Sequence, residues 1–349
     1  MKNKSEVIFS EIINSFNDFF KLSKKPVDVS VALSGGIDSL VILHALSELK
    51  LKLKLKLSAI HINHDLSKDA DDWLAFCHKE CKKLGVPFVS EKVNIKPNLS
   101  MGIEAAARKS RYQSLEIHRK GILVLGHHQN DQAETLLLQL FRGSGLNGLA
   151  AMPSFDKERN IWRPLLKINR TVIKSYAEEN NLNFIEDESN SNSKFDRNFL
   201  RNEILPLIQT RYPNIINTIS RSSENIAEGL NLHKAIAKED ANLYFTGNKE
   251  RLSLSMLKVL EKERVINLIR WWLDVNKQLM PSKKIINELY NQIKVVKKDS
   301  QINIHISSGM SVRAYDDFLW LVKITKEKNT YDLIWKGEEI FQLPGSSKL

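Results

Sequence analysis

The first 130 residues alternate between two hydrophobic periods. Val27-Asp28-Val29-Ser30-Val31-Ala32-Leu33 is apolar and β-branched enough to be a buried strand, and Phe88–Val93 and Ile122–Leu125 repeat the pattern. Between these runs the spacing turns helical. Residues 5 to 22 place Val7, Ile8, Ile12, Ile13, Phe16, Phe19 and Phe20 on roughly one side. Leu40–Leu46 reads as a helix packed on the first strand, Asp69–Leu84 as a helix ended by Gly85 and Pro87, and Ile103–His118 as another. Lys50–Leu57 alternates lysine and leucine strictly, a strand's period in a low-complexity setting. The reading is a connector that becomes strand at about Leu57-Ser58-Ala59-Ile60-His61-Ile62-Asn63. Strands alternating with helices predict a parallel sheet covered on both faces, with ligands beyond the carboxyl ends of the strands.

After Pro206 the texture changes. Ile215–Leu243 and Leu252–Leu273 are helix-like, and Lys283–Val296 is amphipathic. Ile302–Ile306, Met310–Ala314 and Phe318–Val322 alternate as strands, the last following a turn at Asp316-Asp317. Trp271 and Trp272 read as core. At 349 residues the chain exceeds one typical domain. The expected architecture is an α/β, parallel-sheet, Rossmann-like domain over 1–210, then a helical linker and small α+β domain over 211–330. Residues 331–349 hold one more strand-like run and form a short remnant of a further domain.

Charge narrows the partners. The chain carries 52 Lys and Arg against 41 Asp and Glu, net +11, a balance that fits either a polyanionic partner such as nucleic acid or plain solubility. No apolar run approaches the ~20 residues of a membrane span, and the charged residues mixed through Met1–Phe20 do not make a signal peptide. The two cysteines, Cys77 and Cys81, sit four apart on one helix among Trp73, Leu74, Phe76 and Leu84, and read as core in a cytoplasmic protein.

Two clusters carry chemistry. Ser34-Gly35-Gly36-Ile37-Asp38-Ser39 joins the first strand to its helix. Two glycines let the backbone turn tightly, and the helix start adds unpaired N–H groups and the positive end of its dipole, a setting for phosphate. Unlike G-x-x-x-x-G-K-[ST], this loop has no lysine and carries an acid. Asp38 then suits Mg²⁺ bridging phosphates, or a cationic substrate; a plain turn capped by Ser34 is the simpler alternative. The second cluster, Gly126-His127-His128-Gln129-Asn130-Asp131-Gln132-Ala133-Glu134-Thr135, follows the fourth strand. Asp131 and Glu134, three apart, point the same way from a helix start. They answer the helix dipole, join the histidines around a metal, or receive an amine; the spacing fits no zinc pattern. Arg108 with Arg111, and Arg197 with Arg201, each present two guanidinium groups together for phosphate oxygens or for ion pairs.

The six-residue loop resembles that of the N-type ATP pyrophosphatases, the PP-loop family. Gly126-His127-His128 with Asp131-Gln132 and Glu134-Thr135, then Arg142-Gly143-Ser144-Gly145 and Gly148-Leu149, resembles the tRNA(Ile)-lysidine synthases within it. So do His61-Ile62-Asn63-His64, Ala106-Ala107-Arg108-Lys109-Ser110-Arg111-Tyr112, Arg163-Pro164-Leu165, Asp187-Glu188-Ser189-Asn190 and Arg197-Asn198-Phe199-Leu200-Arg201-Asn202. Together these cover residues 31 to 206; Glu188 stands where the family usually has proline. The resemblance implies an ATP-dependent ligase. ATP adenylates the C2 oxygen of the wobble cytidine in the CAU anticodon of tRNA(Ile), lysine displaces AMP, and codon reading changes from AUG to AUA. It places Ser34, Gly35, Gly36, Ile37, Asp38, Ser39, His61, Gly126 and His127 around ATP, with Asp38 on Mg²⁺ or the incoming amine. It places Asp131 and Glu134 on the lysine ammonium, and Arg108 near the ATP phosphates or the tRNA. Arg201 falls near the second substrate, and Arg111, Arg142 and Arg197 on tRNA phosphate. Residues 211–330 resemble the family's tRNA-recognition domain less specifically, and the tail resembles the start of a further domain of longer members. The rival readings are a PP-loop tRNA thiolase, which needs exposed cysteines, and a basic RNA-binding protein with a vestigial ATP loop. Oligomeric state stays open, a homodimer included.

Overall fold

The structure, a computed structural model, describes residues 3–20, 25–63, 69–93, 103–186, 192–244, 251–295, 302–307 and 309–324, with 103–107 and 243–244 given as backbone alone. His64, the Asp187–Asn190 motif and the tail 331–349 lie outside the described residues. The chain divides into two compact units, Met1–Leu230 and Asn231–Leu349, a division that falls beyond position 210 and inside a long helix.

In the first unit, helix α1 (Lys4–Phe20) precedes strand β1 (Val27–Ala32) and helix α2 (Ile37–Leu49). Strand β2 (Leu55–Asn63), helix α3 (Ala70–Lys83), strand β3 (Phe88–Lys92), helix α4 (Ile103–His118) and strand β4 (Ile122–Val124) follow. The four strands pair in parallel in the order β3–β2–β1–β4. Parallel neighbours need crossovers, and the helices supply them. Strand β2 starts two residues before Leu57. Leu53, Leu55 and Leu57 are buried while Lys52, Lys54 and Lys56 are exposed, so the Lys/Leu alternation already belongs to the strand from Leu55.

Helices α5 (Gln129–Phe141) and α6 (Leu146–Leu149) come next. A hairpin of β5 (Phe155–Asp156) and β6 (Ile161–Trp162), which sequence periodicity does not reveal, then widens the sheet, with β6 parallel to β4. Helix α7 (Arg170–Glu179), also unmarked in the sequence reading, packs with α1 over the sheet; buried Trp162 donates its indole N–H to Ser15 at 2.8 Å. Cys77 and Cys81 are fully buried, and burial pushes both thiols up to about 12, in keeping with core. Helix α8 (Asp196–Phe199) passes through a single π-helical turn, Leu200–Ile204, into α9 (Leu205–Arg211), and α10 (Ile215–Tyr244) follows. Ala133, Leu205 and Ile216 pack together, which fixes the π turn against α5.

In the second unit β7 (Arg251–Ser253) leads into α11 (Leu254–Val259) and α12 (Lys262–Val275), so Leu252–Leu273 is not one helix. The backbone of Leu260 and Glu261 is extended, which breaks the helical run, and Arg251–Ser253 pairs at a sheet edge instead. Helix α13 (Lys283–Val295) and strands β8 (Asn303–Ser307), β9 (Met310–Tyr315) and β10 (Phe318–Lys323) complete an antiparallel sheet ordered β7–β10–β9–β8. Leu252, Ile304, Val312 and Leu319 meet Leu268, Trp272 and Leu289 of the helices in one core, so Trp272 is core as expected and Trp271 is half-buried against it. Among the described residues no helix is long and apolar enough to cross a membrane.

Candidate active site

The loop after β1 is folded by its own serines. Ser39 donates its hydroxyl to the Gly36 carbonyl at 2.9 Å and accepts from the Ser34 N–H at 3.2 Å; the Gly36 N–H reaches the Ser34 hydroxyl. The N–H groups of Gly35, Ile37 and Asp38 take no acceptor among the described residues, and no side chain caps α2. The helix therefore presents an open N-terminus of the kind that binds phosphate. Gly35 has φ +89°, and a Cβ there would stand 2.9 Å from the Ile185 side chain and 3.3 Å from the Cys77 sulfur. Glycine is required by backbone and space alike. Ile185 donates its N–H to the Gly35 carbonyl, tying residues after α7 to the loop. Buried His61 donates Nδ1–H to the Leu33 carbonyl at 2.8 Å and is held below its ordinary pKa by burial. It fixes the base of the loop.

The end of β4 brings the second cluster to the first. A Cβ on Gly126 would stand 2.7 Å from the Asp38 carbonyl oxygen, so the chain there runs against the first turn of α2. His128 Nε2 lies 3.6 Å from Asp38 Oδ1 and 3.5 Å from Asp131 Oδ2. Asp131 Oδ2 also accepts the His128 backbone N–H at 3.0 Å, closing the start of α5. Asp131 Oδ1 accepts from Nη2 of both Arg197 and Arg201, at 3.0 and 2.9 Å. Glu134, wholly buried, accepts from Nε of both at 2.7 Å. The four residues form a closed quartet of two acids and two guanidinium groups, each hydrogen bond charge-assisted. The ion-pair reading of Arg197 and Arg201 is thus realised, with the acids named for an amine as partners.

Electrostatics follow from this packing. Burial opposes charge on His128, but the Asp131, Asp38 and Glu134 carboxylates outweigh it and hold the imidazole above its ordinary pKa. Burial likewise opposes ionisation of Asp131, and His128, Arg197, His127 and Arg201 together drive its carboxyl well below the usual range. His127 goes the other way: burial, with Arg163, Arg197 and Arg108 nearby, lowers it to about 3 against the pull of Asp131. Its Nδ1 accepts from Arg163 Nε at 3.3 Å, so the neutral ring carries its proton on Nε2.

Arg108, Arg142 and Arg197 line one cavity of about 450 Å³ with Thr135, Lys194, Phe195 and Asp196. Arg111 does not line it; its guanidinium lies 5.8 Å from the Tyr112 ring, which also carries Arg108 at 5.3 Å and Arg159 at 4.7 Å. Burial and the charges of Arg108 and Arg197 lower the Arg111 pKa, with Tyr112 opposing. The site thus gathers Asp38, Asp131, Glu134, Arg197 and Arg201, sets Arg108 and Arg142 on its cavity, and holds His61 through Nδ1 at the base of the phosphate loop. Sequence reasoning weighed His128 only as one of two histidines that could join a metal, and assigned no role to Arg163, Lys194 or Phe195. The position of His128 just before an acid-bearing helix start was the available signal; Lys194 and Phe195 reach the cavity only through the chain's return to α5.

Five similarities accompany this geometry. The model of the PP-loop domain matches residues 5–208, and that of the TilS substrate binding domain matches residues 252–320. The tRNA(Ile)-lysidine synthase of Coxiella burnetii is 37% identical over 320 residues, 90% of this chain and 71% of that protein. The one from Buchnera aphidicola is 38% identical over 333 residues, 92% of this chain and 74% of that protein. Among solved structures, the U34-tRNA thiolase NcsA from Methanococcus maripaludis superposes with a TM-score of 0.50 at 21% identity, over 64% of this chain and 80% of that one, a likeness of fold. The phosphate-ready loop, the acid–arginine quartet beside it and these relatives agree: the chain belongs to the tRNA(Ile)-lysidine synthase family, PP-loop enzymes that use ATP.

Proposed function

We propose that the chain converts the wobble cytidine of the CAU anticodon of tRNA(Ile) to lysidine in two steps at the carboxyl ends of β1 and β4. First, the cytidine C2 oxygen attacks the innermost phosphorus of ATP and pyrophosphate leaves. Then an amine of lysine attacks C2 and AMP leaves with that oxygen. The observation that supports this reading best is the adjacency of the open α2 N-terminus to the quartet. One suits a polyphosphate; the other suits an amino acid, with carboxylates for ammonium and guanidinium groups for carboxylate.

Each residue then has a task. The N–H groups of Gly35, Ile37 and Asp38 face the phosphates, and Ser34 and Ser39 keep the loop in shape. Asp38 Oδ1 is buried without a hydrogen-bond partner, a donor position that fits Mg²⁺ held by one carboxylate and substrate phosphates. Asp38 would hold that ion, which offsets the charge of the departing pyrophosphate. Asp131 and Glu134 hold the lysine ammonium, Arg201 its carboxylate, and Arg197 keeps both acids ionised and aimed. Only a neutral amine attacks, so a carboxylate must take a proton. Asp131 and Glu134 are engaged by arginines and Asp131 is a weak base. Asp38 is therefore the acceptor in the second step. The cavity lined by Arg108, Arg142, Lys194, Phe195 and Arg197 receives an unstacked anticodon base and its phosphates, as single-stranded RNA reading requires. Arg111, lowered in pKa and stacked on Tyr112, adds to the field that draws phosphate. The two free cysteines suit a reducing cytoplasm. The test is mass analysis of tRNA(Ile) bearing a CAU anticodon after incubation with ATP and lysine; a lysyl addition on the wobble base is expected, and its absence overturns the reading.

A further inference from the structure

Two side chains packed against the site take no part in the chemistry above, His127 and Arg163. Arg163 follows β6 and is only 5% exposed. Its Nη1 donates to the Pro153 carbonyl at 2.8 Å and its Nε to His127 Nδ1 at 3.3 Å. Among the described residues no carboxylate forms an ion pair with it. His127 leaves the carboxyl end of β4 directly after Gly126, the position that abuts the Asp38 carbonyl and the Ser39 nitrogen in the first turn of α2. The residue therefore starts beside the loop whose open N–H groups suit phosphate. Asp131 of α5, Arg197 of α8, Arg108 of α4 and Arg163 all act on its ring electrostatically. Its Nε2 takes no partner among the described residues, and the residue is half-buried rather than enclosed.

The chemistry of the pair allows one arrangement. A guanidinium is a donor only and keeps its charge. Nδ1, facing Arg163 Nε, must then be the acceptor, and the ring's single proton sits on Nε2. A proton on Nδ1 would set two N–H groups against each other. It would also add a cation among three guanidinium groups, in keeping with a ring held down at about 3.

We propose that Arg163 is a positioning residue for ATP: it fixes the His127 proton on Nε2 and so aims a neutral N–H at the phosphates of the nucleotide. The inference rests on the proposed use of ATP and deepens it. A neutral donor does something that a further arginine would not. Charge-assisted hydrogen bonds are roughly twice as strong as neutral ones, so a neutral N–H orients the phosphates without gripping the pyrophosphate that must leave.

The test reads the ring nitrogens of His127 by nitrogen NMR in the whole chain, the signals assigned as those lost in His127→Gln. The wild type is expected to show a bare Nδ1 and a protonated Nε2, unchanged between about pH 5 and pH 8. ATP added without tRNA is expected to shift Nε2. In Arg163→Met the ring should titrate near the ordinary histidine value of about 6.5, and Arg163→Lys, which returns a charged donor, should restore part of the wild-type spectrum. A purely structural role for Arg163 moves none of these signals. In pyrophosphate release, Arg163→Met and His127→Leu should each lose about ten- to a hundredfold in kcat/KM for ATP, the worth of one hydrogen bond to a charged group. The double variant should lose no more than either, because the two act as one unit. A wild-type ring protonated on Nδ1, or one that titrates near about 6.5, overturns the proposal even where Arg163→Met fails to fold. So do an Nε2 signal unmoved by bound ATP and losses that add in the double variant. A chain that shows the Nε2 proton and its shift with ATP but makes no lysidine keeps this inference and overturns the tRNA reading. A chain that binds no ATP overturns both.

Discussion

Gly126 stands against Asp38: a carbon added at position 126 would come within 2.7 Å of the Asp38 carbonyl oxygen and 3.2 Å of the Ser39 nitrogen. This contact, rather than any side chain, sets the spacing between the phosphate loop and the acid-bearing helix. Both neighbours are backbone, so neither yields as a flexible side chain would. Gly126→Ala is expected to push β4's end away from α2, at about 1–3 kcal/mol of stability. It should also raise KM for ATP more than it lowers the unfolding midpoint suggests. Denaturant unfolding beside ATP-dependent pyrophosphate release checks both.

The quartet holds charges that burial makes expensive to orphan. Removing Glu134 leaves Arg197 and Arg201, each about a quarter exposed, sharing Asp131 alone. Glu134→Ala is expected to cost about 3–5 kcal/mol, the range for breaking a buried pair from one side. Arg197→Ala should cost less, because the second guanidinium still satisfies Glu134. A double-mutant cycle over Glu134 and Arg197 should show coupling of about 0.5–3 kcal/mol. A coupling of zero would mean that the two side chains do not interact in solution.

His127 and His128 are neighbours that titrate in opposite directions. With His127 lowered to about 3 in the fold and near its ordinary value when unfolded, the unfolded chain binds more protons between about pH 6.5 and pH 3. Its contribution to stability is present above pH 6.5 and is lost as pH falls, with a slope of up to about 1.4 kcal/mol per pH unit. His128 is raised, so its contribution is full below about pH 6.5 and fades as pH rises through its folded value. His127→Gln should therefore flatten the acid limb of the stability curve, and His128→Gln the limb that falls as pH rises above the ordinary histidine value. Unfolding midpoints across pH for the two variants read the difference.

The residues explain how far the sequence could be read. The parallel sheet was legible because β1, β2 and β4 are buried runs whose composition admits little else, and the loop because glycine, serine and acid follow one of them. Asp131 and Glu134 were legible as a pair from their spacing of three. That their partners would be Arg197 and Arg201 was not, since the 63 to 70 residues between them are closed by tertiary packing such as that of Leu205 and Ile216 on Ala133. The β5–β6 hairpin escaped because two-residue strands have no period. Arg251–Ser253 escaped because a three-residue edge strand followed at once by Leu254 looks like a helix start. The π turn at Leu200–Ile204, which brings Arg197 and Arg201 to the same two acids, has no sequence signature.

Arg108 separates chemistry from architecture. Its side chain is exposed, rests 5.3 Å from the Tyr112 ring, and lines the cavity beside Arg197. Nothing in the core depends on it, so Arg108→Ala should leave the unfolding free energy within about 0.5 kcal/mol of wild type. If its charge answers the negative charge that grows on the phosphates during adenylation, the same variant should lose about 10²–10³ in the rate of pyrophosphate release, as for removal of one charge-stabilising donor. Arg108→Lys keeps the charge but loses the planar stack on Tyr112 and the forked donor geometry, so it should recover only part of that rate. Single-turnover release of labelled pyrophosphate, with tRNA saturating, isolates the step. A wild-type rate in Arg108→Ala would take this residue out of adenylation, while a slow rate accompanied by a lowered unfolding midpoint would assign the loss to structure.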